Sequence, residues 1–82
     1  SLKGTGFKDG KTAEKTIKLV EKRSVKYQYD VINTMYNRAK YHPHRNDDME
    51  EAMDIYELWL SKYKKTKEKQ NWIINYYQEI NS

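Results

Sequence analysis

The strongest pattern in this chain is an apolar repeat in its second half. Apolar residues recur there at intervals of three and four positions: Met49, Ala52, Met53, Tyr56, Trp59, Leu60 and Tyr63. Because an α-helix has 3.6 residues per turn, this spacing places all seven side chains on one face of a helix. No segment alternates between apolar and polar residues as a half-buried strand would. The repeat therefore predicts an all-α fold.

Two more helices are predicted before this one. The first covers about residues 13–23, with Thr12 as its N-cap, and the second covers about residues 25–42, with Ser24 as its N-cap. Pro43 ends the second helix, since the residue before a proline is disfavoured in the helical conformation. We expect the chain to turn back at this point.

The third helix should begin after a cap at Asn46 or Asp47. A fourth segment, residues 66–81, presents another apolar face: Trp72, Ile73, Tyr76, Tyr77 and Ile80. Neither proline nor glycine separates the two segments, so two helices or one long helix would fit the pattern. The fold expected is a small antiparallel bundle of three or four helices, closed by the fourth segment.

Length and glycine content predict the domain organisation. Eighty-two residues allow one helical domain, residues 1–82, and the three glycines mark residues 1–11 as a flexible N-terminal arm from which Phe7 packs onto the body. The predicted core comprises Ile17, Val20, Val25, Tyr29, Ile32, Met35, Ala39, Met49, Met53, Tyr56, Trp59, Leu60 and Trp72.

Composition argues against several classes of protein. There is no cysteine, so disulfides, thiolate metal sites and cysteine nucleophiles are excluded. No apolar run approaches the roughly 20 residues that a membrane-spanning helix needs, so we expect a cytoplasmic protein without a membrane partner. The glycines near Lys11 and Thr12 resemble a phosphate-binding loop only superficially, because their spacing does not fit that motif. We expect no cofactor.

The joint between the second and third helices holds both histidines and two adjacent carboxylates: His42, His44, Asp47 and Asp48. These are ligand types of a divalent-metal site and the minimum of a general acid/base pair. The chain offers no third histidine and no nucleophile in a suitable loop. Helix termination at Pro43 and capping of the next helix account for all four residues. We therefore predict neither a metal site nor an enzyme.

Two binding functions stay open. Leu58, Ile74, Tyr27 and Tyr41 fall outside the predicted inward faces, which suits an interface with another protein or with a second copy of the chain. The leading hypothesis is a non-enzymatic interaction module that binds another protein or associates with itself. The alternative is nonspecific nucleic-acid binding by the basic face of the first helix, since the net charge is +4. That face comprises Lys11, Lys15, Lys18, Lys22 and Lys26.

Overall fold

A computed structural model describes residues 3–81 and contains three α-helices in this range, with no β-strand. They are α1 (Gly10–Val20), α2 (Val25–Lys40) and α3 (Asp47–Ile80). Each helix packs against the other two. The predicted all-α bundle is confirmed, with three helices. Three residues of the predicted domain lie outside the described range: residues 1 and 2, which belong to the predicted arm, and residue 82.

The start of α1 corrects the sequence prediction. Asp9, not Thr12, is the N-cap, and its side chain accepts a hydrogen bond of 2.8 Å from the Thr12 backbone N–H. A carboxylate is as good a cap as a threonine hydroxyl, and its position three residues earlier adds a turn to the helix. The helix also ends earlier than predicted, at Val20.

The other two caps are confirmed. Ser24 accepts a hydrogen bond from the Tyr27 N–H at the start of α2, and Asn46 accepts one from the Met49 N–H at the start of α3. The second helix ends at Lys40, two residues before the predicted boundary. The predicted end depended on Pro43 alone. The helix ends before His42, the residue whose backbone conformation the proline restricts.

The core lies where the three helices meet. Its buried residues are Ala13, Thr16, Val20, Ile32, Ala39, Met49, Ala52, Met53 and Tyr56. Two predicted core residues are wrong: Val25 is 58% exposed and Trp72 is 66% exposed. Val25 is the first residue of α2, at the rim of the body, and Trp72 lies beyond the end of α2 along α3. For Val25, helical spacing could not show the extent of the covering helices. Trp72 follows Tyr63 by nine residues, two and a half turns, so it lies on the side of α3 opposite the residue that stacks on α2.

The segment before α1 is anchored to the body. The Gly6 N–H donates a 3.0 Å hydrogen bond to Thr16 Oγ1, and the Tyr56 hydroxyl donates to the Gly6 carbonyl. Phe7 packs against the core, as predicted. The arm therefore ends at Asp9 rather than at residue 11, and its last residues are held by specific contacts.

The helices differ greatly in length. At 1.5 Å per residue, the 34 residues of α3 extend about 51 Å, whereas the 16 residues of α2 extend only about 24 Å. The longest dimension of the molecule is 54 Å, so α3 runs along the whole of it. The expected fourth segment is the continuation of α3 and does not close the bundle. No helix-breaking residue interrupts residues 64–66, so the helix continues.

Candidate interaction surface

The part of α3 that extends past the body is the most unusual feature of the molecule. Every described residue from 64 to 81 is exposed, and we call residues 64–80 the outer half of α3. It carries six large apolar side chains that are 39–66% exposed: Trp72, Ile73, Ile74, Tyr76, Tyr77 and Ile80. A helix that exposes so many large apolar residues usually packs against a partner.

Three apolar residues of the outer half, Ile73, Tyr77 and Ile80, continue the stripe of the inner half across two polar positions, Thr66 and Gln70. Tyr56 is fully buried, and Trp59 and Tyr63 are half-buried. The same alternation of three and four positions continues through residues 66 and 70 to Ile73, Tyr77 and then residue 80. We call Gln70, Ile73, Tyr77 and Ile80 the outer stripe. Since a repeat of 3.5 residues stays on one side of a helix, the outer stripe faces the side on which α2 covers the inner half.

Aromatic rings stack along α3 on both sides of the boundary, but Trp72 and Tyr76 lie roughly opposite Tyr63 on the helix, nine and thirteen residues after it. At the edge of the body, Tyr63 stacks on Tyr29 of α2 with ring centroids 4.7 Å apart, and Trp59 stacks on Tyr63 at 5.6 Å. Farther out, Trp72 and Tyr76 stack at 5.7 Å. The first group of rings is partly buried between helices. The second group is left in solvent.

A depression marks the place where α2 begins and the outer half starts. It has a volume of about 390 Å³ and is lined by Val25, Lys26, Tyr29, Asp30, Tyr63, Lys67 and Gln70. Lys26 lies 3.9 Å from the Asp30 carboxylate, a solvent-exposed pair of low strength. The remaining lysines of this region are Lys62, Lys64, Lys65 and Lys69. With Lys26 and Lys67 they form what we call the basic junction.

The four interface residues predicted from the sequence do not form one surface. Leu58 lies beside acidic residues and Ser61 in another depression, and Tyr41, 75% exposed, follows the end of α2. Tyr27 is half-buried, and the Arg23 guanidinium lies 4.0 Å from its ring centroid. Only Ile74 belongs to the outer half. Sequence reasoning placed the other outer apolar residues on a fourth segment that closes the bundle, with Trp72 in the core. The lack of a helix breaker near residue 65 was a signal that they would project.

The lysines of the alternative hypothesis lie on more than one element. Lys11, Lys15 and Lys18 are exposed on α1, Lys22 lies in the following turn, and Lys26 lies in the first turn of α2. Among the described residues, the ion pairs involve Lys26 but none of the α1 lysines. Three cationic side chains on exposed positions of α1 could thus attract an anionic backbone.

The joint that holds the histidines is organised by structural contacts. The His44 backbone N–H donates a 3.1 Å hydrogen bond to His42 Nδ1, and the His42 ring packs edge-on against Phe7 at 6.0 Å. Arg45 pairs with Glu50 and donates to the Lys40 carbonyl at 3.2 Å, which ties the two helix ends together. Within residues 3–81, no group of three or more histidine or acidic side chains is arranged to hold a metal ion.

Within the described part of the chain, two titratable groups have shifted pKa values, and both belong to structural contacts. Burial raises the pKa of the Tyr56 hydroxyl above 10.0, an effect that a hydrogen bond with Thr16 partly offsets. Hydrogen bonds from Thr12 lower the pKa of the Asp9 carboxyl below 3.8, because they stabilise the ionised cap. Neither group lies on the outer half of α3.

Comparison with known proteins adds no relative. No protein-family model matches the chain, and no curated protein or solved structure matches it either. Among the described residues, no helix is both long enough and apolar enough to cross a membrane, because lysines and other polar residues interrupt even the 34 residues of α3.

Proposed function

We propose that this protein is a non-enzymatic interaction module that binds another polypeptide through the outer half of α3. The observation that carries the proposal is the group of six large apolar side chains, all exposed, on a helix that no other part of the described chain covers. The body formed by α1, α2 and the inner half of α3 then serves as the scaffold that orders this helix.

The size of the apolar surface supports this role. At the area typical of large apolar side chains, six residues of this exposure present on the order of 700 Å² to solvent. The six residues lie on more than one side of the helix, and their total area is comparable with the roughly 300–600 Å² of the largest apolar patch on an ordinary monomer. Tryptophan and tyrosine, which make up half of the six, are the residues most enriched at energetically dominant interface positions. Such a helix suits insertion into an apolar groove or pairing with another helix.

A site-specific photo-crosslinking experiment tests the proposal. A photoreactive amino acid replaces Tyr77, on the outer stripe, or Asn75, on the opposite side of the same helix. In extracts of the source cells, illumination should give a discrete covalent adduct from position 77 and much less from position 75. An adduct with a second copy or with another protein agrees with the proposal. Equal labelling at both positions, or none at either, contradicts it.

A second candidate function, nonspecific nucleic-acid binding, is favoured by the exposed lysines of α1. Lys11, Lys15 and Lys18 are spaced to lie on one side of that helix and make no ion pair among the described residues. If they bind phosphates, affinity for any duplex should fall steeply with salt, and each Lys→Gln substitution should lower the slope of log K against log salt by about 1. Failure to bind a DNA column at low salt would exclude this function.

A further inference from the structure

We propose that the polypeptide covering the outer half of α3 is a second copy of this chain, paired antiparallel through the outer stripe. This inference rests on the proposed function and specifies its partner. Three features of the molecule support it: the position of α2 on α3, the distribution of charge along α3, and the spacing of the outer stripe.

The position of α2 excludes parallel pairing along this face. The outer stripe lies on the same side of α3 as α2. In a parallel dimer, the second α3 would have to continue alongside the body at a spacing of about 8–10 Å, in the space that α2 fills. In an antiparallel dimer, the second body lies beyond the free end of the first α3. The two bodies then sit at opposite ends and do not collide.

The charge distribution also favours the antiparallel arrangement. Residues 62–69 of α3 contain five lysines and one glutamate, whereas residues 70–81 contain a single charged residue, Glu79. Parallel pairing would place one lysine-rich segment against the other. Antiparallel pairing instead brings the C-terminal end of each α3, with the negative pole of its helix dipole, towards the basic junction of the other copy.

The start of α2 sets the overlap of the two helices. Gln70 lines the depression at the N-terminus of α2, so the free stripe of α3 runs from about Gln70 to Ile80, a length of about 15 Å. If Ile80 of one copy reaches Gln70 of the other, Ile73 of each copy meets Tyr77 of the other. Such pairs are the layers in which antiparallel helices with a 3.5-residue repeat interdigitate. The contacts are reciprocal, as two-fold symmetry requires.

This arrangement also places the helix ends favourably. Each outer half would lie in line with α2 of the other copy, with its C-terminal end directed at the N-terminal end of α2. The depression lined by Val25, Lys26 and Tyr63 would receive that end. The negative pole of one helix dipole then meets the positive pole of another. The partly exposed Val25 gains apolar contact with Ile80 of the second copy.

The buried area predicts a weak dimer. An overlap of this length would bury on the order of 1,000 Å² in total, the lower limit for a specific protein interface. Dimerisation should therefore depend on concentration in the micromolar range. Sedimentation velocity of the whole purified chain measures this directly, with the sedimentation coefficient rising from the monomer value towards that of an elongated dimer as concentration increases.

Two double variants of equal charge show which face pairs. Ile73→Glu with Tyr77→Glu puts two charges on the outer stripe, whereas Asn71→Glu with Asn75→Glu puts the same charges four residues apart on the opposite side. Circular dichroism should show that both variants stay helical. The first should sediment as a monomer at all concentrations, and the second should dimerise. Loss of dimer in both variants, or in neither, would overturn the proposed interface.

Cysteine cross-linking tests the orientation, since the natural chain contains no cysteine. In the antiparallel dimer, an equal mixture of Gln70→Cys and Ile80→Cys chains should oxidise to a disulfide-linked heterodimer. Ile80→Cys alone should not cross-link, because its two copies lie about 15 Å apart, beyond the reach of a disulfide. Efficient cross-linking of Ile80→Cys to itself would show parallel pairing and overturn the proposal.

The two proposals fail in different ways. If the wild-type chain sediments as a monomer at every concentration, the second copy is not the partner, and the inference of self-pairing is wrong. Photo-adducts at position 77 with a different protein would then still support the interaction module. If the purified chain is a monomer and position 77 also gives no adduct, both proposals are wrong.

Discussion

Replacing Tyr56 by phenylalanine isolates the contact that holds the N-terminal segment against the body. Tyr56 is fully buried, and its hydroxyl donates a hydrogen bond to the carbonyl of Gly6, fifty residues away in the chain. Phenylalanine keeps the ring in the core and removes only the hydroxyl. The variant therefore measures the hydrogen bond without the cavity that a smaller residue would leave.

The expected loss is about 1 kcal/mol in the free energy of unfolding, the usual net value of one intramolecular hydrogen bond. The Thr16 hydroxyl lies 3.5 Å from the Gly6 carbonyl, but its one proton makes a shorter bond, of 2.8 Å, to the Thr12 carbonyl. In the variant this hydroxyl can turn to the Gly6 carbonyl, which should keep the loss near the lower end of the roughly 1–3 kcal/mol typical of a buried acceptor left without any partner. For a domain of this size, a loss of about 1 kcal/mol lowers the Tm by roughly 4–8 °C.

The same variant has a second signature at alkaline pH. Burial raises the pKa of Tyr56 above 10.0, so the folded state holds this proton more tightly than the unfolded state does. Its contribution to stability is complete below pH 10 and is lost as the pH rises towards the folded-state pKa. Phenylalanine has no proton to lose. The difference in stability between the wild type and Tyr56→Phe should therefore shrink as the pH rises above 10.

Thermal unfolding followed by circular dichroism, at a series of pH values from 7 to about 11, measures both effects. All other titratable groups are common to both chains, so their effects cancel in the difference. A Tm equal to that of the wild type at pH 7 would show that the hydrogen bond contributes nothing. A difference that stays constant above pH 10 would contradict the raised pKa.

The remaining predictions concern one cap, two tryptophans and the histidine joint. Asp9→Ala should lower the Tm, whereas Asp9→Asn should retain the helix cap. Because the pKa of Asp9 is lowered in the folded state, the wild type should lose the stability that the cap contributes as the pH falls below 3.8, and Asp9→Asn should not. Trp59→Ala should cost about 3 kcal/mol in urea unfolding, whereas Trp72→Ala should change monomer stability by less than about 0.5 kcal/mol. Micromolar zinc should leave the Tm of the wild type and of His44→Ala unchanged, so a rise that only the wild type shows would reveal a metal site.

Local signals in the sequence predicted the helices well. Ser24 and Asn46 are caps because their side-chain oxygens accept hydrogen bonds from backbone N–H groups three residues later, an interaction within one turn. The start of α1 was harder to predict because Asp9 and Thr12 are both good caps. The contact that decides between them involves the fold, since Gly10, the first residue of α1, packs closely against Glu51 of α3.

The surface proposed for binding was harder to predict for a related reason. Periodicity shows which residues of a helix share a face, but not whether another helix covers that face. Trp59 and Trp72 both follow an apolar helical pattern, yet one packs beside Tyr63 at the edge of the body and the other is 66% exposed. The difference depends partly on where α2 begins relative to α3, which is a tertiary property. It also depends on the side of the helix, since Trp72 lies about 140° around α3 from Trp59.

The relative lengths of the helices explain why the outer half of α3 is left uncovered. Ser24 fixes the start of α2 and the joint at Pro43 fixes its end, so α2 can cover only about 24 Å of any neighbour. Because no proline or glycine follows Asn46, α3 extends past α2 by roughly half the length of α3. An apolar stripe that continues over that length has no intramolecular partner available within residues 3–81. The same stripe that holds the bundle together thus becomes, past the first turn of α2, a surface suited to a second chain.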